Sequence, residues 1–332
     1  MKALVMTAFG KVEMQERAWP EPAAGDVRVR VEATGICGSD VHGFQGHQAR
    51  RQPGLVLGHE TTGVVDGVGS GVPESWIGKR VAVNPLLTCE TCAACRSGRQ
   101  NVCETWRLLG MDHTAGGFAE AVAVPVRNVT LLPDHVTATQ AVLIEPIANA
   151  IHILSMIPVS AGSFPSVAII GGGTLGACIL SVAKARGFRV RRVVERNAAR
   201  GLVMQQLGAE SVRATLEDAP VGEFPVVVDA VGIAVTRQAA LRLVARGGTV
   251  LLLGLDEGPT ELNFQDIVRR EIRLQGSFAY TATDFAAAVE FVASPAFDLS
   301  AWTDSVPLED AQAAFEKLIN NPGDRLKIAL IP

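Results

Sequence analysis

Two textures of apolar and polar positions divide the chain. Through roughly the first 130 residues the apolar positions come in short runs punctuated by Gly and Pro. VRVRVEATG (27–35) alternates as a half-buried strand does, and TTGVVDGVGSG (61–71) carries the glycines that bulges and tight bends use. This pattern predicts a compact, mainly antiparallel, barrel-like domain. From about residue 165 the apolar runs stop alternating. SVAIIGGG (166–173) reads as a buried strand entering glycines, and TLGACILSVAKARG (174–187) has helical periodicity that ends at Gly187. FRVRRVVE (188–195) is the next strand, followed by a helix with Asn197 as N-cap and Gly208 as its stop. PVVVDAVG (225–232), a helix over VTRQAALRLVARGG, and strands TVLLLG (249–254) and IRLQGSF (272–278) continue the alternation. Strands buried on both faces and separated by helices predict a parallel, doubly wound sheet. Further helices are predicted over TATQAVLIEPIANAIHIL (137–154) and PLEDAQAAFEKLIN (307–320), with a strand at RLKIALI (325–331).

Composition narrows the class. The 332 residues, 48% of them hydrophobic, can bury a large core and suggest about two domains. No apolar run approaches the roughly 18 residues of a membrane span. Thirty Lys and Arg against 34 Asp and Glu, with no basic tract, argue against a nucleic-acid partner. MKALVMTAFG has no apolar run suited to a signal peptide, which makes cytoplasm the expected location.

In that setting CETCAACRSGRQNVC (89–103) holds four of the six cysteines. Disulfides suit oxidising compartments and domains too small for a core, so metal is the better reading. Cys89, Cys92, Cys95 and Cys103 can converge on one tetrahedral ion, zinc or, less readily, an iron–sulfur cluster. Four thiolates leave no open position, so this site is structural.

Gly171, Gly173 and Gly176 form G-x-G-x-x-G between a strand and a helix, and Glu195 ends the next strand. The glycines permit a tight turn and close approach to a pyrophosphate, while the acid can hold ribose hydroxyls. Arg192 and Arg196 stand close enough in sequence to favour a 2′-phosphate instead. A further constellation lies in TGICGSDVHGF (34–44) and LGHETTG (57–63), where Cys37 and His59 offer the ligands a catalytic zinc prefers. Singly, each has a plainer reading: Cys37 as buried packing, His59 as a core histidine, Asp40 as a turn former.

Taken together, ICGSDVH, GHE, the four-cysteine lobe and GGGTLG make the chain resemble the zinc-dependent medium-chain dehydrogenases of the alcohol dehydrogenase superfamily. The resemblance implies an α/β protein: a GroES-like, mainly-β catalytic domain over 1–148, a Rossmann domain over 149–285, and a return to the first domain over 286–332. It implies that Cys37 and His59 ligate a catalytic zinc, with Glu60 and Glu145 beside it and either carboxylate as direct ligand. Asp40 would orient His59, and Ser39 would pass the substrate proton through the cofactor ribose toward His42. Cofactor contacts would come from Gly171, Gly173, Thr174, Leu175, Gly176, Glu195, Arg200, Val231, Leu255 and Ser277. The implied chemistry is hydride transfer between a secondary alcohol or polyol and a nicotinamide, NAD rather than NADP, in a homodimer or homotetramer. Glu145-Pro146 looks like the sorbitol, butanediol and threonine dehydrogenase branch rather than the liver-type enzymes, which have a cysteine there. The alternatives are a zinc-free quinone or enoyl reductase and a non-catalytic NAD(H)-binding protein of the same superfamily. In GHQARRQPG (46–54), Arg50 and Arg51 read as a solvated charge pair, or else as selectors of an anionic substrate.

Overall fold

The computed structural model describes residues 1–159, 164–216, 221–256 and 258–332. The chain divides into two compact units, Met1–Glu145 with Tyr280–Pro332, and Pro146–Ala279.

The first unit is organised on the strand Asp26–Gly35. One edge pairs antiparallel with Glu60–Val68, while the other is shared by Ala121–Pro125 and Lys327–Ile331. Arg80–Val83 and Val129–Leu131 extend the sheet one way, and Thr303–Pro307 extends it the other. The alternation predicted for 27–35 is realised: Val27, Val29 and Val31 turn inward and pack with Val65, Val81, Val122 and Val124. A second core joins Leu4, Met6, Leu57 and Phe118 to Phe315 of the helix Ala311–Asn320 and to Ile328 and Leu330. Phe315 stacks on Phe44 at 4.7 Å between ring centroids and meets Phe118 edge-on at 6.2 Å.

The second unit holds six parallel strands in the order Val212–Arg213, Val190–Val194, Val167–Ile170, Phe224–Asp229, Val244–Leu252, Arg273–Gly276. The first strand in sequence lies centrally, between the second and the fourth. This is the doubly wound order that opens a ligand crevice at the carboxyl ends of the strands. Asn197 caps the helix Ala198–Gln206 by accepting the Arg200 N–H at 3.1 Å.

Two predicted helices differ. The segment VTRQAALRLVARGG stays helical only as far as Leu243. Val244 instead pairs with Phe224, and Gly247, at φ +70°, takes a conformation no helix interior uses. The helix expected over 137–154 is two, Ala138–Ala141 and Ile144–Ser155. Pro146 has no N–H to bond back to Val142, so it sits in the first turn of the second helix, where none is needed. Among the described residues no helix is long and apolar enough to cross a membrane.

Phe315→Ala should lower the unfolding free energy of the first unit by about 3–5 kcal/mol, read by urea denaturation. A loss below about 1 kcal/mol would mean that the surrounding rings collapse into the space.

Candidate functional site

Pairing of Gly35 with Glu60 brings the Cys37 and His59 segments side by side. A Cβ at Gly35 would overlap Glu60 Oε2, so the glycine makes room for that carboxylate. Cys37 caps the helix Gly38–Phe44. The ligand atoms of Cys37, His59 and Glu60 all lie within 4.8 Å of one another.

The surroundings hold this group in place. Asp40 Oδ2 accepts the Cys37 N–H at 3.1 Å, and Oδ1 lies 3.4 Å from both His59 Nδ1 and Arg51 Nε. Burial alone would raise the Asp40 carboxyl, but His59 and Arg51 bring it down to about 2. Burial likewise opposes charge on His59, yet Asp40 and Cys37 hold its pKa well above the usual imidazole value. The pocket therefore favours positive charge. Glu60 Oε1 accepts from Lys327 Nζ at 2.6 Å, and the same ammonium donates to the Ile36 carbonyl at 3.1 Å. Glu60 Oε2 is buried without a hydrogen-bond partner. A thiol, an imidazole whose Nδ1 faces a carboxylate, and an orphaned carboxylate oxygen fit a zinc ion.

Glu145 lies in the first turn of Ile144–Ser155, outside the 4.8 Å group but near enough to sense it. Burial raises its carboxyl, with Glu60 adding to that and His59 opposing it. The buried Tyr280 phenol is pushed well above its usual value by burial and by the facing Glu145. Ser39 Oγ accepts from Arg51 Nη2 at 3.2 Å, and the His42 ring lies 6.2 Å from that of His47.

The expected solvated pair at Arg50 and Arg51 is not what forms. Arg51 is 0% exposed, with Asp40 as counter-charge and space provided by Gly43. Arg50 pairs with Asp112 at 2.5 Å and lies over the Trp106 ring at 4.1 Å. Lys327 was also unforeseen. Its signal was a lysine in an otherwise apolar strand, which requires a counter-charge.

The four-cysteine lobe is also assembled, with ligand atoms within 4.8 Å of one another and all four thiols free. Backbone N–H groups point at sulfur: Cys92 to Cys89 at 3.3 Å, Cys95 to Cys92 at 3.5 Å, Cys89 to Cys103 at 3.4 Å. The Thr91 hydroxyl and backbone donors bring Cys89 down to about 5, whereas burial pushes Cys95 up to about 12. A divalent ion would favour thiolate at every position.

In the second unit the predicted cofactor residues gather at the carboxyl ends of the strands. Gly171 has φ +100°, and a Cβ at Gly176 would overlap the Gly171 carbonyl. Gly173 caps the helix Thr174–Ala185, whose first turn carries Leu175. Glu195 accepts the Gly172 N–H at 2.7 Å and the Asn197 N–H at 2.6 Å. Burial lowers the Arg200 pKa, and Glu195 opposes that. The Val231 side chain packs against Gly171, Ser277 is buried with its hydroxyl unpartnered, and Leu255 is 77% exposed. Asp229 escaped notice in the sequence. Its carboxylate accepts the Val231 and Gly232 N–H groups and the Thr236 hydroxyl, each at 3.0 Å, and so shapes the turn carrying Val231.

Comparison with known proteins agrees with this geometry. The family model for the alcohol dehydrogenase GroES-like domain matches residues 23–134, and that for zinc-binding dehydrogenases matches 174–294. Sorbitol dehydrogenase of Bacillus subtilis is 31% identical over 347 aligned residues, spanning 100% of this chain and 97% of that protein. A Sinorhizobium meliloti protein solved bound to NADP superposes with TM-score 0.89 at 30% identity, covering 100% and 99% of the two chains. Acetophenone reductase of Geotrichum candidum, in complex with NAD, gives 0.91 at 29% identity, covering 100% and 97%. With this ligand set, this dinucleotide turn and relatives matched along their whole length, the chain belongs to the zinc-type medium-chain alcohol dehydrogenase family.

Proposed function

We propose that the protein is a zinc-dependent oxidoreductase that moves a hydride between a secondary alcohol or polyol, or its ketone, and a nicotinamide cofactor. The observation that carries this reading is the orphaned Glu60 Oε2 set beside Cys37 and His59, with Asp40 behind the imidazole. A zinc-free reductase or a mere dinucleotide binder has no use for that group.

Bound zinc would polarise the alcohol oxygen, and the nicotinamide would accept the hydride. The chain's own residues handle the rest. Asp40 fixes the His59 ring so that Nε2 is the nitrogen presented for ligation. Lys327 holds Glu60 by one oxygen and leaves the other free. Ser39 accepts the alcohol proton, and His42, one turn further along the same helix, is the onward acceptor toward solvent. Glu145 completes the carboxylate pair beside the ligands, where its raised pKa reflects burial near Glu60.

The finer assignments belong to the same reading. Cys89, Cys92, Cys95 and Cys103 hold a second, structural zinc, in keeping with six free cysteines and a reducing cytoplasm. NAD is favoured over NADP because Glu195, tied down by two backbone N–H groups, would repel a 2′-phosphate. A homodimer or homotetramer belongs to the same reading, with exposed Phe264 and Val268 on the helix Phe264–Arg269 as apolar surface to cover.

Three measurements test these assignments. Elemental analysis of protein purified without chelator should give close to two zinc ions per chain. A value near one, with the cysteine lobe empty and the fold intact, would remove the structural assignment. The KM for NADP should exceed that for NAD by at least about tenfold, equivalent to about 1.4 kcal/mol. The reverse order would show that Arg192 or Arg196 outweighs Glu195. Glu145→Ala should reduce turnover or catalytic-site zinc affinity by about 10–100-fold. Near-native turnover with both ions retained would exclude Glu145 from the site.

A further inference from the structure

A guanidinium stays charged in proteins and carries five N–H donors in a fixed fork, so a fully buried one must be explained by what it meets. Arg51 is 0% exposed. Its Nε lies 3.4 Å from Asp40 Oδ1, and its Nη2 donates to Ser39 Oγ at 3.2 Å. Its Nε and Nη1 make no hydrogen bond. The aliphatic stem crosses Gly43, where a Cβ would overlap Arg51 Cδ. The helix Gly38–Phe44 is thus cut away at one position to admit a side chain from the loop that follows it. That side chain meets two successive residues of the helix's first turn.

Each contact has a chemical consequence. A serine hydroxyl has one O–H and two acceptor lone pairs. With Arg51 on one lone pair, Ser39 keeps one place to accept a proton and one proton to pass on. The acceptor site that Arg51 fills is closed to water or a competing donor. Asp40 Oδ1 is shared between Arg51 and His59 Nδ1, each at 3.4 Å, so the guanidinium also limits where that carboxylate can sit behind the imidazole.

We infer that Arg51 is a positioning residue that sets the proton-accepting Ser39 and the His59-orienting Asp40 in one arrangement, an assignment that rests on the zinc-dehydrogenase reading above. It acts through these two residues. One side chain therefore governs both how firmly metal is held and how readily the proton leaves.

The test uses the full-length holoprotein with Arg51→Met, Arg51→Lys, Ser39→Ala and the double variant Arg51→Met/Ser39→Ala. Zinc release to a chromogenic chelator and kcat and KM for sorbitol or 2,3-butanediol are measured, with the melting temperature as a check on folding. Arg51→Met should release the zinc held by Cys37 and His59 about 10–100-fold faster than the parent, with the four-cysteine zinc unaffected. Arg51→Lys keeps the charge without the fork and should fall between the two. Adding Arg51→Met to Ser39→Ala should lower kcat much less than Arg51→Met lowers it in the parent, because residues acting as a unit are not additive. Parental zinc release in Arg51→Met, or kcat losses that multiply, would overturn the assignment. Where Arg51→Met does not fold, the same readouts on Arg51→Lys decide. A parent protein that binds no zinc at Cys37 and His59 would instead overturn the dehydrogenase reading, and this inference with it.

Discussion

Removing a charge from water costs several kcal/mol unless an opposite charge or well-placed donors meet it. The first unit sets the buried carboxyls of Asp40 and Glu60 beside Cys37 and His59 and brings two cations to them. Arg51 faces Asp40 and Lys327 faces Glu60, both in full burial. That leaves the Cys37 sulfur, the His59 imidazole and the free Glu60 oxygen as the donors a divalent ion would meet. Several placements serve this balance: the glycines at 35 and 43, the strand that delivers Lys327, and the loop that delivers Arg51.

What could be read along the chain was local. Valine alternation over 27–35, the glycine turn at 171–176 and the cysteine spacing over 89–103 each fall within a short window. Short-range geometry dictates such patterns, and the structure realises them. The pairings that complete the metal group are not local. Glu60 and Lys327 are 267 residues apart, and Arg51 reaches back 12 residues to Ser39 across a helix and a turn. No periodicity records such a partnership, so Arg51 looked like one of two loop charges and Lys327 like ordinary strand composition. Asp229 was hidden for a different reason. It closes an apolar strand, where its three donors became visible only once the following turn was folded.

The two misjudged helices carry a related lesson. Apolar content alone carried one segment past its end at Leu243 and ran the other across a break. Backbone chemistry marks both places: the missing N–H of Pro146 just after the break and the left-handed Gly247 beyond the end. The break before Pro146 also places Glu145 in a first turn rather than a helix interior.

The cysteine lobe and the catalytic ligand group differ in how far the chain must close on itself to form them. Cys89 and Cys103 are separated by 14 residues, a loop whose closure costs little entropy and takes well under a microsecond. The Glu60 carboxylate waits for a strand 267 residues further on. During synthesis the lobe can thus be complete while Glu60 still lacks its ammonium. The group around Glu60 becomes complete only after the second unit has been made and the chain has returned to the first. Assembly order is thereby written into the fold: the four-cysteine group early, the Cys37, His59 and Glu60 group late.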